Sequence, residues 1–380
     1  MRAELLEETD AALRVAEGHQ VLAQEPHPDG RAIGAGSSAR EQRRDPVTPH
    51  GVAHGRSGSM RVMSSFSSWV SMALPPHRKI WPIILRIDMP RSVGVPVSLV
   101  RIATRDGVWL DGVVAEPQGR RRAAVVWVHG LGSVFSSGQP LTRELSTRLN
   151  AAGIAYFKLN NRGHDVVAGR GRHLAGAAFE RFTQSVADIR ATVAFVRQCG
   201  YRRIVLAGHS TGANKVLHYA ARARDRRVSG IVLIGPVSDV AAEAKRLGGR
   251  ELRRRVTTAE RIARRDPDGL VPPAWGFWSA RRYISLYRPG EVEDVFPYYR
   301  DNARWTTFRA VRLPVAAILG SRDEFLDRPA PEVIQAFRRN AVRARSFTGT
   351  VVARARHGFQ GHERELADLL VRWVGALGKT

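Results

Sequence analysis

From Ser98 onward the chain alternates two hydrophobic patterns. One is a short, unbroken apolar run, found at 123–128, 154–159, 204–207, 231–234 and 315–319. Runs of that length, bounded by polar and glycine residues, are the mark of strands covered on both faces. The segments 100–104 and 108–114 flank Asp106-Gly107, a hairpin turn signal, and 350–353 reads as a last strand. The other pattern is helical. Phe179, Phe182, Val186, Ile189, Val193 and Val196 are spaced 3, 4, 3, 4, 3, so they share one helical face, and Gly200 follows as a stop. A helix over 141–152 ends at Gly153, and 363–377 carries Leu366, Leu369, Leu370, Trp373 and Leu377 on one stripe. Strands alternating with helices predict an α/β protein whose mostly parallel sheet has helices on both faces.

Two stretches break this rhythm. Between Ser238 and Leu313 lies a helical segment rich in Arg and Trp, including Pro272-Pro273-Ala274-Trp275 and Trp278. An insertion of about 239–312 between two sheet strands is expected to form a lid over the active site. The plainer alternative is packing on the sheet edge. Residues 1–95 differ from the rest. A short helix is expected over 4–17, then 26–65 is rich in Gly, Pro, Ser, Arg and His with no apolar period, as in a disordered segment. Met89, just before the first strand pattern, is a candidate start of the functional chain; a genuine leader is the alternative. The remainder, 96–380, reads as one domain.

Composition changes this picture only slightly. The formal net charge of +25 in 380 residues would suit nucleic acid. Yet only five of the 60 basic residues are lysine, and the arginines are spread along the chain rather than gathered in one tract. Nucleic acid is therefore not expected as the main partner. The single cysteine, Cys199, precludes an intramolecular disulfide and fits a reducing, cytoplasmic location. No run of 18 apolar residues predicts a membrane span, and no signal peptide is legible at the start.

The candidate chemistry lies at strand ends. Gly208-His209-Ser210-Thr211-Gly212 follows an apolar run and precedes a helical pattern. G-x-S-x-G in that setting is a nucleophile elbow. A serine hydroxyl reacts only when held exposed, beside a base and near donors for the oxyanion, so Ser210 needs partners. His129-Gly130-Leu131-Gly132-Ser133 after the 123–128 strand supplies a glycine-rich turn, and the N–H groups of Leu131 and Thr211 are the expected oxyanion donors. Asp323, after the 315–319 strand, is the expected carboxylate, ahead of Glu324 and then Asp239. His357, after the last strand, is the expected base, with His362 as the alternative. The order Ser210, Asp323, His357 is that of α/β-hydrolase triads. His129, Gly130, His209, His164, Trp275 and Trp278 are expected to border the substrate. His209 is read as packing or orienting, and His164 as ordering the 160–165 loop. The lid aromatics either line a pocket or form the lid's own core. No metal-ligand spacing stands out and no cofactor is expected.

Val126-Trp127-Val128-His129-Gly130, Asn161-Arg162-Gly163-His164, the 208–212 elbow, Gly320-Ser321-Arg322-Asp323 and His357-Gly358-Phe359 together resemble the α/β-hydrolase superfamily. The similarity is greatest to its esterase/lipase-like and serine-aminopeptidase-like branch. It extends to hydrolases whose lid carries segments like Ser279-Ala280-Arg281-Arg282 and Glu293-Asp294-Val295-Phe296. Some fungal members of that subgroup hydrolyse siderophore esters. The resemblance covers roughly 98–377 and implies an eight-stranded sheet. One departure weakens substrate inference: many relatives have Asp-x-Arg-Gly-His where Asn160-Asn161-Arg162-Gly163-His164 stands here. The expected activity is serine hydrolysis of a carboxylic ester or related small-molecule acyl substrate. Amide, peptide or thioester hydrolysis and acyl transfer on the same machinery are alternatives, as is a ligand-binding role without catalysis. Oligomeric state is left open.

Overall fold

The computed structural model describes residues 95–119, 121–170 and 173–377. The expectations for 1–94 therefore lie outside the described residues. Strands β1 (Ser98–Ala103) and β2 (Trp109–Ala115) form the hairpin around Asp106-Gly107. Then follow β3 (Ala123–Val128), α1 (Gln139–Ala151) and β4 (Ile154–Leu159). A two-stranded hairpin, β5 (Ala168–Arg170) and β6 (His173–Ala175), precedes α2 (Ser185–Gln198). Next come β7 (Ile204–His209), α3 (Thr211–Ala223) and β8 (Val228–Ile234). After the 239–312 segment, β9 (Val315–Gly320), α8 (Ala330–Asn340), β10 (Phe347–Val352) and α9 (Glu363–Ala376) complete the domain.

Eight strands form one sheet in the order β1-β2-β4-β3-β7-β8-β9-β10. β1 and β2 are antiparallel to their neighbours, and all pairs from β4 to β10 are parallel. Alternate side chains serve opposite layers, as the strand period of two requires. Val125, Trp127, Val205 and Ala207 meet Leu145 and Leu149 of α1 and Leu366, Leu370 and Val374 of α9. Ala124, Val126 and Leu206 meet Ile189 and Val193 of α2, Val216 and Leu217 of α3, and Val333 and Phe337 of α8. This is the continuous burial that the unbroken apolar runs predict.

Two elements differ from their sequence patterns. The helical spacing starts at Phe179, but α2 starts at Ser185, after a 3-10 turn over Phe182–Gln184. Phe179 is buried edge-on against Phe277 and Phe182 against His218, at centroid distances of 6.3 and 5.1 Å. Their periodicity reports burial by other segments, not helix. The last strand begins at Phe347 rather than 350, because pairing with β9 from Phe347↔Val315 recruits Thr348 and Gly349, which no apolar criterion selects.

The 239–312 segment holds α4 (Asp239–Leu247), α5 (Gly249–Ala263), a 3-10 turn over Pro273–Trp275, α6 (Ala280–Tyr287) and α7 (Thr306–Ala310). α4 to α6 share their own apolar cluster of Val240, Leu252, Val256, Ala259, Val271, Ala280 and Tyr283. Trp275 and Trp278 pack against it. Trp275 also lies 5.6 Å from Tyr283 and beneath the Arg255 guanidinium.

Candidate active site

The carboxyl ends of β3, β4, β7, β8, β9 and β10 lie along one edge of the sheet, where α/β folds place their ligands. At the centre, β7 turns into α3 through Ser210. Its backbone is at φ 56°, ψ −130°, a left-handed value that a non-glycine residue holds only at a cost of roughly 1–3 kcal/mol. The turn is pinned by Ser210 N–H donating to Ile234 O at 2.9 Å. The flanking glycines are a steric necessity. A Cβ on Gly212 would overlap the Val128 carbonyl oxygen, and one on Gly208 would overlap Gly212 itself. Gly130 faces Ser210 so closely that a Cβ would lie 2.9 Å from its Cβ.

Asp323 and His357 meet. His357 Nδ1 lies 2.9 Å from Asp323 Oδ2, and Asp323 Oδ1 accepts from Phe325 N–H at 3.1 Å. Burial alone would depress the His357 pKa, but the Asp323 charge and hydrogen bond override it and the net shift is upward. Glu324 does not face the ring; its Oε2 accepts from the His357 backbone N–H at 3.1 Å. His362 lies apart from the pair, 3.3 Å from Glu365 on its own helix. Among the described residues no hydrogen bond joins Ser210 Oγ to His357. The elbow is tied to the His357 loop by His209 instead. Its Nε2 lies 3.0 Å from His357 O, and its ring stacks on Trp127 and lies 5.1 Å from the His357 ring.

Asp239 stands elsewhere on the same edge, at the start of α4, with Asn214 Nδ2 3.4 Å from its Oδ2. Burial and the nearby Glu293 push its carboxyl up to about 7, with Arg282 and His357 opposing.

The glycine-rich 129–133 loop is held from beneath. His129 is 1% exposed, and both ring nitrogens are engaged. Nδ1 lies 2.9 Å from Gly130 O, and Nε2 accepts from Asn161 N–H at 3.0 Å, which defines a neutral Nδ1-protonated ring. Burial and the neighbouring Lys215 keep its pKa well below that of a free imidazole. Among the described residues no hydrogen bond is formed by the N–H groups of Leu131 or Thr211. His164 lies 2.6 Å from Asp165 through Nδ1, and its backbone bridges to Gly132.

Sequence reasoning missed a buried ionic chain behind this loop. Lys215, on α3 one turn beyond Ser210, is fully buried and lies 2.7 Å from Glu180 and 3.0 Å from Asn161 Oδ1. Glu180 lies 3.4 Å from Arg282 of α6, whose Nε donates to Ala177 O at 3.0 Å and whose Nη2 donates to Glu293 at 3.1 Å. Burial would raise the Glu180 pKa, but Lys215 and Arg282 hold it below the usual carboxylate range. A second pair anchors the same loop: Arg162 bonds Asp188 at 2.7 Å and the hairpin-turn Asp106 at 2.8 Å. The only sequence signal was a lone charge in an apolar setting, Lys215 before Val216-Leu217 and Glu180 after Phe179.

Comparison with known proteins bears on the fold that carries this geometry. A family model described as serine aminopeptidase, S33, matches residues 119–269. The siderophore hydrolase EstB from Aspergillus fumigatus has a similar structure, with 20% identity and a TM-score of 0.57, over 76% of this chain and 100% of that one. The chain has the α/β-hydrolase fold. Two other structures of this fold are similar. A soluble variant of Saccharomyces cerevisiae monoglyceride lipase, with a substrate analogue, has 16% identity and a TM-score of 0.56, over 76% of this chain and 98% of that one. Est1E from Butyrivibrio proteoclasticus, with ferulic acid bound, has 16% identity and a TM-score of 0.52, over 74% of this chain and 100% of that one. No curated protein matches the chain. No group of three or more His, Cys, Asp or Glu among the described residues could hold a metal ion. No helix among them is long and apolar enough to cross a membrane.

Proposed function

We propose that this protein is a serine hydrolase of the α/β-hydrolase superfamily, cleaving a carboxylic ester or related acyl substrate. The observation that carries this reading is the strained Ser210 elbow on the same sheet edge as the 2.9 Å Asp323–His357 pair. Ser210 Oγ attacks the substrate carbonyl while His357 Nε2 takes its proton. Asp323 holds the Nδ1–H tautomer and stabilises the imidazolium. The N–H groups of Leu131 and Thr211 receive the oxyanion, a task that leaves them available in the free enzyme. His357 then protonates the leaving alcohol, and water enters through the same base. The His357–Ser210 hydrogen bond forms with substrate in place, since catalytic hydrogen bonds that are long in free enzymes close in the substrate complex.

The surrounding residues divide into two roles. Gly130 and His209 border the reacting carbonyl. His129 and His164 hold the loops that border it, since both His129 nitrogens are engaged internally. The 239–312 segment serves as a lid anchored through Arg282, with Trp275 and Trp278 as its own packing residues. A small-molecule ester substrate and a cytoplasmic location complete the proposal. The likeness to structures described as a siderophore hydrolase and a monoglyceride lipase supports ester chemistry. Amide cleavage is the second reading, favoured by the serine aminopeptidase description of the matching family model.

Hydrolysis of p-nitrophenyl acetate, butyrate, octanoate and palmitate, beside the matching anilides, tests both readings. Loss of roughly 10⁴-fold or more in Ser210→Ala establishes the nucleophile. Ester turnover that survives in folded Ser210→Ala refutes it.

A further inference from the structure

A second concave site lies away from Ser210, Asp323 and His357. It is a cavity of 540 Å³ between the 298–309 segment and α8, and four arginines line it: Arg300, Arg309, Arg328 and Arg339. Its size is that of a small-molecule pocket, roughly 300–1,000 Å³. Tyr298 and Trp305 are buried in its floor, and each packs edge-on against Phe337 at centroid distances of 6.2 and 5.9 Å.

Two of the guanidiniums are oriented by the protein. Arg309 Nε donates to Asn340 Oδ1 at 2.8 Å, and Asn340 Nδ2 is itself fixed on Ala336 O at 2.9 Å. Arg328 pairs with Asp327 and lies over the Tyr298 ring at 5.6 Å. Arg300 and Arg339 form no ion pair among the described residues. Asp301 and Glu332 also line the cavity, yet among the described residues neither is within ion-pair distance of any of the four.

Like charges gathered around one concavity repel one another, and guanidinium forks match phosphate and carboxylate oxygens in pairs. We propose that this cavity binds a small multivalent anion, phosphate- or carboxylate-bearing, through Arg300, Arg309, Arg328 and Arg339. Asp301 and Glu332 interrupt the positive field. They suit a compact ligand with its own hydroxyl or amine donors better than a long polyanion such as nucleic acid.

The test is calorimetric titration of the full chain with inorganic pyrophosphate and with citrate at 0.15 M salt. The variants are Arg300→Ala/Arg339→Ala and, as a charge-matched control on the exposed side of α9, Arg364→Ala/Arg372→Ala. All four positions are solvent-exposed, so neither variant opens the core. Saturable one-to-one binding of either anion is expected, weakened at least about tenfold in the cavity variant and unchanged in the control. The stronger of the two probes identifies the anion class. Absence of saturable binding by both overturns the proposal. So does equal weakening in both variants, or tighter binding of a single-stranded oligonucleotide, since either would mark a diffuse basic surface.

Discussion

The sheet strands that end at the candidate site are held by apolar burial on both faces, whereas α6 of the 239–312 segment is tied to the loops beside that site through buried charges. β3, β4, β7 and β9 are buried along almost their whole length, and their neighbours are Val, Ile, Leu and Phe. The α4 to α6 part of the insertion keeps its own apolar cluster and is tied to the domain by Arg282, Glu180, Lys215 and Glu293, while Phe296, Trp305 and Phe308 join the main apolar core. These two kinds of adhesion fail differently. An apolar contact loses stability in proportion to the volume removed. A buried ion chain loses most when one member is deleted, because its partner is left charged in a low dielectric. The ion chain also ends at Asn161, which holds His129 and so the glycine-rich 129–133 loop beside Ser210. Damage to it should therefore reach catalysis as well as stability.

The largest effect is expected at the sheet edge itself. Asp323→Asn should lower kcat by about 10⁴-fold, since the wrong imidazole tautomer is then held against Ser210. It should also lower the pH at which kcat/KM falls on the acid side. His357 must be neutral to act as base, its pKa is raised above 6.5, and the main cause of that rise is removed. A kcat/KM profile from pH 4 to 9 for both proteins decides this; an unmoved acid limb would count against the pairing.

Next comes the ion chain. Lys215→Met should cost about 3–5 kcal/mol of unfolding free energy by stranding Glu180, and Lys215→Met/Glu180→Leu should cost less than the sum of the two single changes. Denaturant titrations at pH 7 measure this cycle, and strict additivity would dissolve the chain as a unit. The sign with pH follows from Glu180. Its folded pKa is depressed, so its contribution is present above the unfolded value of 4.5 and is lost as pH falls through the lower folded value. The sheet offers the contrast. Leu206→Ala should cost about 2–5 kcal/mol with little dependence on pH, because only volume is removed.

The smallest effect is expected where the two regions touch. The Asp239 carboxyl has its pKa raised to about 7 from 3.8, so its contribution declines as pH rises between those values. Asp239→Asn should therefore leave stability unchanged near pH 4 and raise it by roughly 1–2 kcal/mol at pH 8, after discounting for partial exposure. Thermal melts at the two pH values test this, and equal shifts at both would show that Asp239 is not the titrating group.

Much of the fold was legible because its signals are local. The strand runs, the α2 stripe beyond Val186 and the elbow at 208–212 are each written in consecutive residues. The elbow glycines are obligatory, since Gly212 packs on the Val128 carbonyl of a neighbouring strand and any side chain would collide with it. Local pattern misled where burial came from elsewhere, as at Phe179 and Phe182, or where pairing rather than hydrophobicity made the strand, as at Thr348 and Gly349. The acids show the same divide. Sequence order ranked Asp323, Glu324 and Asp239 by their positions after strands. Only the parallel pairing of β9 with β10 gave Asp323 the imidazole and Glu324 the backbone N–H, and only the packing of the 239–312 segment gave Asp239 a carboxylate neighbour in Glu293. Lys215, Glu180 and Arg282 span 102 residues from first to last, and nothing in their neighbours announces that they meet. By itself the sequence determined which segments are strands and helices and where a nucleophile could stand, since periodicity and steric turns act over a few residues. Which charges pair was decided only when the sheet order brought distant chain segments into one low-dielectric interior, where an unpaired ion is too costly to remain.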